Sequence, residues 1–280
     1  MKIFNLILCA LFCTMLLPAQ TQIKGKVLNE ENQPLAYANI GFVNSSVGTV
    51  SNANGEFSLT IPSELSAEQN LRISMMGYGS KEFRKDKLNT SETLIVQLVK
   101  EDFLLPEVSV SNKETVTKQK GNMSPNSRIK TNLAISTEPN MNLGASIGRR
   151  FNLGKKTTQV QKLHFFIARN NYDTVLVRIQ FYSIKGGKPH SPLHSEQIVR
   201  EIVQFRKGWV EIDLEQYRLV FNQDVAASLE WIGASQRGNA FYINMNLPAF
   251  GETHYYRFGA QNKWKVFHAM STSMYLTLEM

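Results

Sequence analysis

Residues 23–62 read IKGKVLNEENQPLAYANIGFVNSSVGTVSNANGEFSLTIP, and two features of this stretch decide the fold. Ile23, Gly25 and Val27 alternate with Lys24 and Lys26, which is the period of a strand with one face buried and one wet. Asn29 to Pro34 is polar and closes on a proline. After it Ala36, Ala38, Ile40 and Phe42 share a face of a second extended segment. Val47 to Val50 then leads into Ser51-Asn52-Ala53-Asn54-Gly55, where asparagine and glycine adopt left-handed backbone angles cheaply, and alternation resumes at Phe57, Leu59 and Ile61. A hairpin across that turn is the simplest expectation. Leu71 to Met75, then Leu94, Val96 and Leu98, supply further strands, so residues 20–110 are expected to close as a β-sandwich.

The run Gly25-Lys26-Val27, followed by Pro34-Leu35 and Tyr37-Ala38-Asn39-Ile40, by GTVSNANGEFSLTIP and by ISMMGYGSKEF from Ile73, resembles the carboxypeptidase regulatory-like domain. That family is a transthyretin-type, seven-strand sandwich found in bacterial envelope proteins of the Bacteroidetes kind. The resemblance implies a non-catalytic appendage of the sort carried by peptidases and TonB-dependent transporters. Leu105-Pro106-Glu107-Val108-Ser109-Val110 is also similar to the segment that TonB reads in such transporters. Read without the family, the same residues form a last edge strand running into a linker.

The start of the chain indicates export. Lys2, an apolar run from Ile3 to Leu17, and Pro18-Ala19 before Gln20 make residues 1–19 a secretory signal peptide. Cys9 follows Leu8 and Cys13 follows Phe12, so neither has the small preceding residue that lipidation requires. These are the only two cysteines of the 280 residues, and both leave with the signal. The mature chain therefore has no disulfide, no thiolate metal site and no cysteine nucleophile. No apolar run of about 20 residues follows, so no transmembrane segment is expected in the mature chain. A soluble or peripherally held protein of the periplasm or outer membrane is the expectation.

A formal charge of +8 is a modest excess for this length, and part of it is clustered. Lys113, Lys118, Lys120, Arg128 and Lys130 fall in residues 111–139, a polar stretch with Gly121 and Pro125 and no apolar period. We expect a basic linker there, able to touch anionic lipid or lipopolysaccharide. Nucleic acid is not an expected partner, because export removes it and no aromatics interleave with the charges.

Residues 140–280 are again strand-like. Leu163, Phe165 and Ile167 alternate with His164 and Phe166, as do Val175 to Phe181, Val210 to Leu214, Phe241 to Leu247 and Met274 to Met280 with their polar neighbours. Turn signals separate these runs and no long helical pattern competes. The fold class is all-β, and this half is expected to be a jelly-roll-like antiparallel sandwich. Gly208 to Leu214 and Ala227 to Gly233 resemble the jelly-roll domain that accompanies the regulatory-like module in such proteins.

The side chains offer little chemistry. Glu211 and Asp213 share a strand face, as solvent-facing carboxylates commonly do, whereas a glycosidase pair usually comes from different elements. His190 and His194 are four apart, but Pro189 and Pro192 exclude the helix that would bring them together around a metal. His164, His254 and His268 lie singly in strand-like runs, and no nucleophile elbow is present. The expectation is no enzyme, no catalytic residue, no cofactor and no metal. Binding is better represented: Trp264, Tyr255, Tyr256, Tyr242 and Trp209 adjoin amides and cations, the arrangement by which sandwich lectins stack sugars. Trp209 and Trp231 have a plainer reading as core residues. The function expected is an exported envelope scaffold or protein-binding module, with a surface-glycan-binding protein as the alternative and a hydrolase with an unfamiliar site as the remote one.

Overall fold

The computed structural model describes residues 21–101, 116–134 and 142–280. The expected signal peptide, residues 1–19, and Leu105–Val110 lie outside these residues.

Seven strands build the first sandwich: β1 (Thr21–Leu28), β2 (Asn39–Phe42), β3 (Gly48–Val50), β4 (Glu56–Ile61), β5 (Asn70–Ser74), β6 (Lys81–Arg84) and β7 (Leu94–Gln97). One sheet has the order β4-β1-β7 and the other β3-β2-β5-β6. Their inward residues, among them Ile23, Val27, Ile40, Phe42, Phe57, Leu59, Leu71, Ile73, Val96 and Leu98, form one buried cluster. Each such side chain contributes roughly 1.5–3 kcal/mol by leaving water.

The expected hairpin at Asn52–Gly55 is corrected by the strand pairing. β3 pairs with β2, whereas β4 pairs with β1 in the other sheet, so this turn is a corner between layers. The Asn52 carboxamide oxygen accepts from the backbone N–H of Asn54 and of Glu56, and Gly55 takes a φ of 73°. A Cβ at Gly55 would lie 2.5 Å from the Val27 carbonyl oxygen, so only glycine fits. Asparagine and glycine set the backbone of this turn, but turn residues do not specify which strands they separate.

The second sandwich contains β8 (Thr117–Gly121), β9 (Ile129–Asn132), β10 (Ser146–Phe151), β11 (Thr158–Asn170), β12 (Thr174–Lys185), β13 (Lys188–Pro192), β14 (Ile198–Val203) and β15 (Gly208–Asp213). It continues with β16 (Val220–Phe221), β17 (Val225–Ala234), β18 (Phe241–Asn246), β19 (Thr253–Arg257), β20 (Lys265–His268), β21 (Ser271–Thr272) and β22 (Met274–Glu279). One sheet runs β13-β12-β17-β10-β19-β20 with β14 also on β12. The other runs β21-β18-β11-β22-β8 with β15 and β16 on β11 and β9 on β18. All of these pairings are antiparallel. The chain crosses repeatedly between the sheets, as a jelly-roll-like sandwich requires. Leu163, Phe165 and Ile167 of β11 and Val175, Val177, Ile179 and Phe181 of β12 meet in one core.

The basic stretch 111–139 is not simply a linker. β8 pairs with β22 over five residues and β9 pairs with β18 over four. β8 is an exposed edge strand, so it shows no apolar period, and Lys118 and Lys120 stand where charge guards an edge against further strand pairing.

Candidate functional site

The two sandwiches meet on the outer face of the β12–β17 sheet. On β12, Leu176, Arg178, Gln180 and Tyr182 point away from the core, yet Arg178, Gln180 and Tyr182 are buried. Arg178 explains this. Its Nε donates to Glu230 Oε2 on β17 at 2.9 Å, and its Nη1 donates to the Tyr37 carbonyl at 2.7 Å and to Gln197 Oε1 at 3.1 Å. Its Nη2 donates to Asn39 Oδ1 at 2.7 Å. Glu230 is fully buried, and Arg257 on β19 approaches its second oxygen at 3.4 Å. Desolvating these charges is costly, and the fit is acceptable only because nearly every donor on Arg178 is used. Tyr37 holds a φ of 63°, a conformation costly for a tyrosine, and in it offers its carbonyl to Arg178.

Other contacts complete the junction. The Asn44 N–H donates to the Gln261 carbonyl at 3.0 Å, and Gln261 Nε2 donates to Ser74 Oγ at 2.7 Å. Gly259, with φ 85°, passes so close that a Cβ would sit 2.6 Å from the Ser46 carbonyl oxygen. Val50 of the first sandwich belongs to the core of the second, and Tyr37 packs against it. Beside Arg178 opens a cleft of about 490 Å³, lined by residues of both sandwiches including Arg72, Ser74, Tyr78, Tyr182, Arg257 and Gln261. A larger hollow of about 960 Å³ also touches both sandwiches, but its charged lining, Lys24, Lys26 and Glu56, belongs to the wet face of β1 and β4.

The five aromatic residues singled out from the sequence do not form one surface. Tyr255 is 1% exposed and packs with Tyr182 and Ala226 beneath Trp264, so it cannot stack a sugar. Its expected ligand role is corrected: β19 is covered on its outer side by the Trp264 loop. Trp264 is half-buried, edge-on to Tyr255 at 6.4 Å, with the Arg257 guanidinium 4.8 Å from its ring. Tyr256 faces the opposite way and packs against the main core. Tyr242 lies on the other sheet under Lys130 Nζ, 5.4 Å from its ring. Trp231 is core, as the plainer reading held, but half-buried Trp209 faces outward. It meets Phe166 at 5.4 Å and Tyr275 at 5.0 Å, both edge-on, because β15 and β22 flank β11 with Phe166 opposite Trp209 and His164 opposite Tyr275. Phe166, Tyr182 and Tyr275 were legible only once pairing register was known.

The titratable groups are engaged in structure. Lys162 Nζ donates to Glu211 Oε1 at 2.6 Å, and Asp213 Oδ1 accepts from the Glu215 N–H at 2.9 Å. His190 is exposed on β13 while His194 is buried, which separates the pair. His194 Nε2 accepts from the Phe181 N–H at 3.2 Å, which leaves Nδ1 to donate to the Glu196 carbonyl at 3.0 Å. Burial pushes His194 down to about 4 and His254 likewise to about 4. Burial also lowers His164, opposed by Glu211, which raises it. Among the described residues no three His, Asp or Glu side chains gather as a metal would require.

The seven-strand sandwich that presents Tyr37 and Asn39 to the second sandwich has a family. Residues 23–110 match the CarboxypepD_reg-like domain. The expectation of that family, which the resemblance placed at about Gln22 to Lys100, holds, and this CarboxypepD_reg-like module supplies half of the junction. No curated protein matches the chain. Solved structures to which it is similar include the cysteine protease and lectin-like domains of Cwp84, a surface-layer-associated protein of Clostridium difficile, at 9% identity and a TM-score of 0.39. Others are infectious bursal disease virus, Gx strain, at 8% and 0.29, and BcpA, the major pilin subunit of Bacillus cereus, at 9% and 0.20. The alignments cover 93%, 92% and 90% of this chain but 59%, 55% and 68% of the three structures. No helix among the described residues is long and apolar enough to cross a membrane.

Proposed function

We propose that this protein is an exported, non-catalytic envelope protein in which the CarboxypepD_reg-like module and the second sandwich act together as one scaffolding and protein-binding unit. The observation that carries this reading is the Arg178 junction: a buried guanidinium bonded to Glu230 on one side and to Tyr37 and Asn39 on the other fixes the two modules against each other. A fixed pair presents loops and strand edges of both modules in one orientation, which a partner can read at lower entropic cost than two tethered beads. Lys118 and Lys120, exposed on edge strand β8, would favour an anionic surface nearby. The test is affinity capture from the protein's own envelope fraction. The intact chain should retain a partner saturably, and Arg178→Met should weaken retention. Equal capture by the isolated first module would contradict a joint unit.

A second reading, carbohydrate binding, has its own observation in the outward row of Phe166, Trp209 and Tyr275, flanked by the Lys162–Glu211 pair. Half-buried rings beside charged groups suit the apolar faces and hydroxyls of sugars. Binding on a glycan array that Trp209→Ala abolishes supports it, and a silent array removes it.

A further inference from the structure

We infer that the loop between β18 and β19, with Phe250 at its tip, inserts into an anionic phospholipid bilayer and seats the second sandwich on it. The inference deepens one part of the proposed function, the anionic surface that Lys118 and Lys120 favour, and moves the contact from the charged edge strand to an apolar tip. Phe250 is 85% exposed, and Leu247 in the same loop is 48% exposed. A lone exposed apolar side chain is ordinary, but these have company. β9 sets exposed Ile129 opposite Met245, just before Leu247. Asn246 Nδ2 donates at 3.0 Å to the carbonyl of Ser124, the neighbour of exposed Met123. On the other flank exposed Phe267 lies close in sequence to Ala269, whose carbonyl accepts from the Ala249 N–H at 2.7 Å.

The loop is held by its own backbone, so the exposure of Phe250 is built into the fold. It carries the chain from one sheet to the other across the end of the sandwich. The Glu252 N–H donates to the Ala249 carbonyl at 3.1 Å, and the Ala269 N–H donates to the Glu252 carbonyl at 3.1 Å. The Glu252 carboxylate is bound to buried Arg149. It is the one carboxylate in residues 122–132, 246–252 and 265–272, which make up this end, against the cations Arg128, Lys130 and Lys265. An apolar tip flanked by cations is complementary to acyl chains beneath negative headgroups, because burial of the ring and attraction of the cations act together. A protein partner would have to supply both a pocket and acidic side chains, whereas an anionic bilayer supplies apolar depth and negative charge everywhere along its surface.

Co-sedimentation of the purified protein with vesicles of phosphatidylethanolamine and phosphatidylglycerol, against vesicles of phosphatidylcholine alone, tests the assignment. The protein should bind the anionic vesicles, and the neutral ones roughly tenfold or more weakly. Phe250→Ser should weaken binding to the anionic vesicles by a similar factor with Tm unchanged, since so little of the ring is covered by the protein. Lys118→Gln combined with Lys120→Gln should cost less than Phe250→Ser. Loss of binding in the lysine pair with indifference to Phe250→Ser would leave the anionic surface at β8 and overturn the inserted tip. No binding to the anionic vesicles, or equal binding to the neutral ones, also overturns it. So does a dimer in sedimentation equilibrium that Phe250→Ser splits, which would assign the tip to a second copy of the chain.

Discussion

Arg178 shows how one side chain decides whether two sandwiches are neighbours or one body. Replacing it with methionine keeps much of the volume but leaves Glu230, fully buried, with Arg257 at 3.4 Å as its only charged partner, and it strips the Tyr37 and Asn39 acceptors of their donor. Breaking a buried pair on one side costs about 3–5 kcal/mol. Arg178→Met should therefore lower the unfolding free energy obtained from urea titration by that margin, whereas Arg84→Gln, whose pair with Asp86 is exposed, should leave it within error. His194 and His254 make a second prediction. Both are neutral when folded, with values near 4 set by burial against an ordinary 6.5. Each lowered value means that the unfolded chain binds the proton first, so the stabilisation is complete above pH 6.5 and is lost as pH falls toward about 4. Denaturation curves across that window should lose up to roughly 3 kcal/mol per imidazole. His254→Gln, which cannot titrate, should flatten part of the decline.

Among the elements, the strands with one wet face were plain in the sequence, and those without one were not. β1, β4 and β22 alternate in burial as they do in residue type. β17 does not, because eight consecutive residues from Val225 to Ile232 are buried: its outer face lies under the first sandwich and the Trp264 loop. β8 fails in the opposite sense, exposed along nearly its whole length and polar throughout. Periodicity reports one-sided burial and is silent on the other two cases. The same limit hid the candidate site. Arg178, Glu230 and Arg257 are charged residues whose meaning comes from a neighbouring module, and no local pattern marks a charge that will be covered. Trp264 and Tyr255 did prove adjacent, but register and a covering loop turned their expected ligand surface into packing. For β8, amide hydrogen exchange should show Lys118 and Lys120 protected on the timescale of their β22 partners Leu278 and Leu276. Exchange at the rate of free chain would return residues 117–121 to the linker they resemble in sequence.

For the whole molecule, the central claim is that the CarboxypepD_reg-like module and the second sandwich form a single body, held by a charged bond network, a strained tyrosine carbonyl and Val50 crossing into the neighbouring core. Scaffolding by the pair depends on that orientation persisting in solution. Backbone amide nitrogen relaxation measured separately for the strands of each sandwich tests it directly. One shared rotational correlation time, split into two by Arg178→Met, is the predicted result. A shorter time for β1–β7 in the unmodified protein, as for a small domain tumbling on a tether, would contradict it.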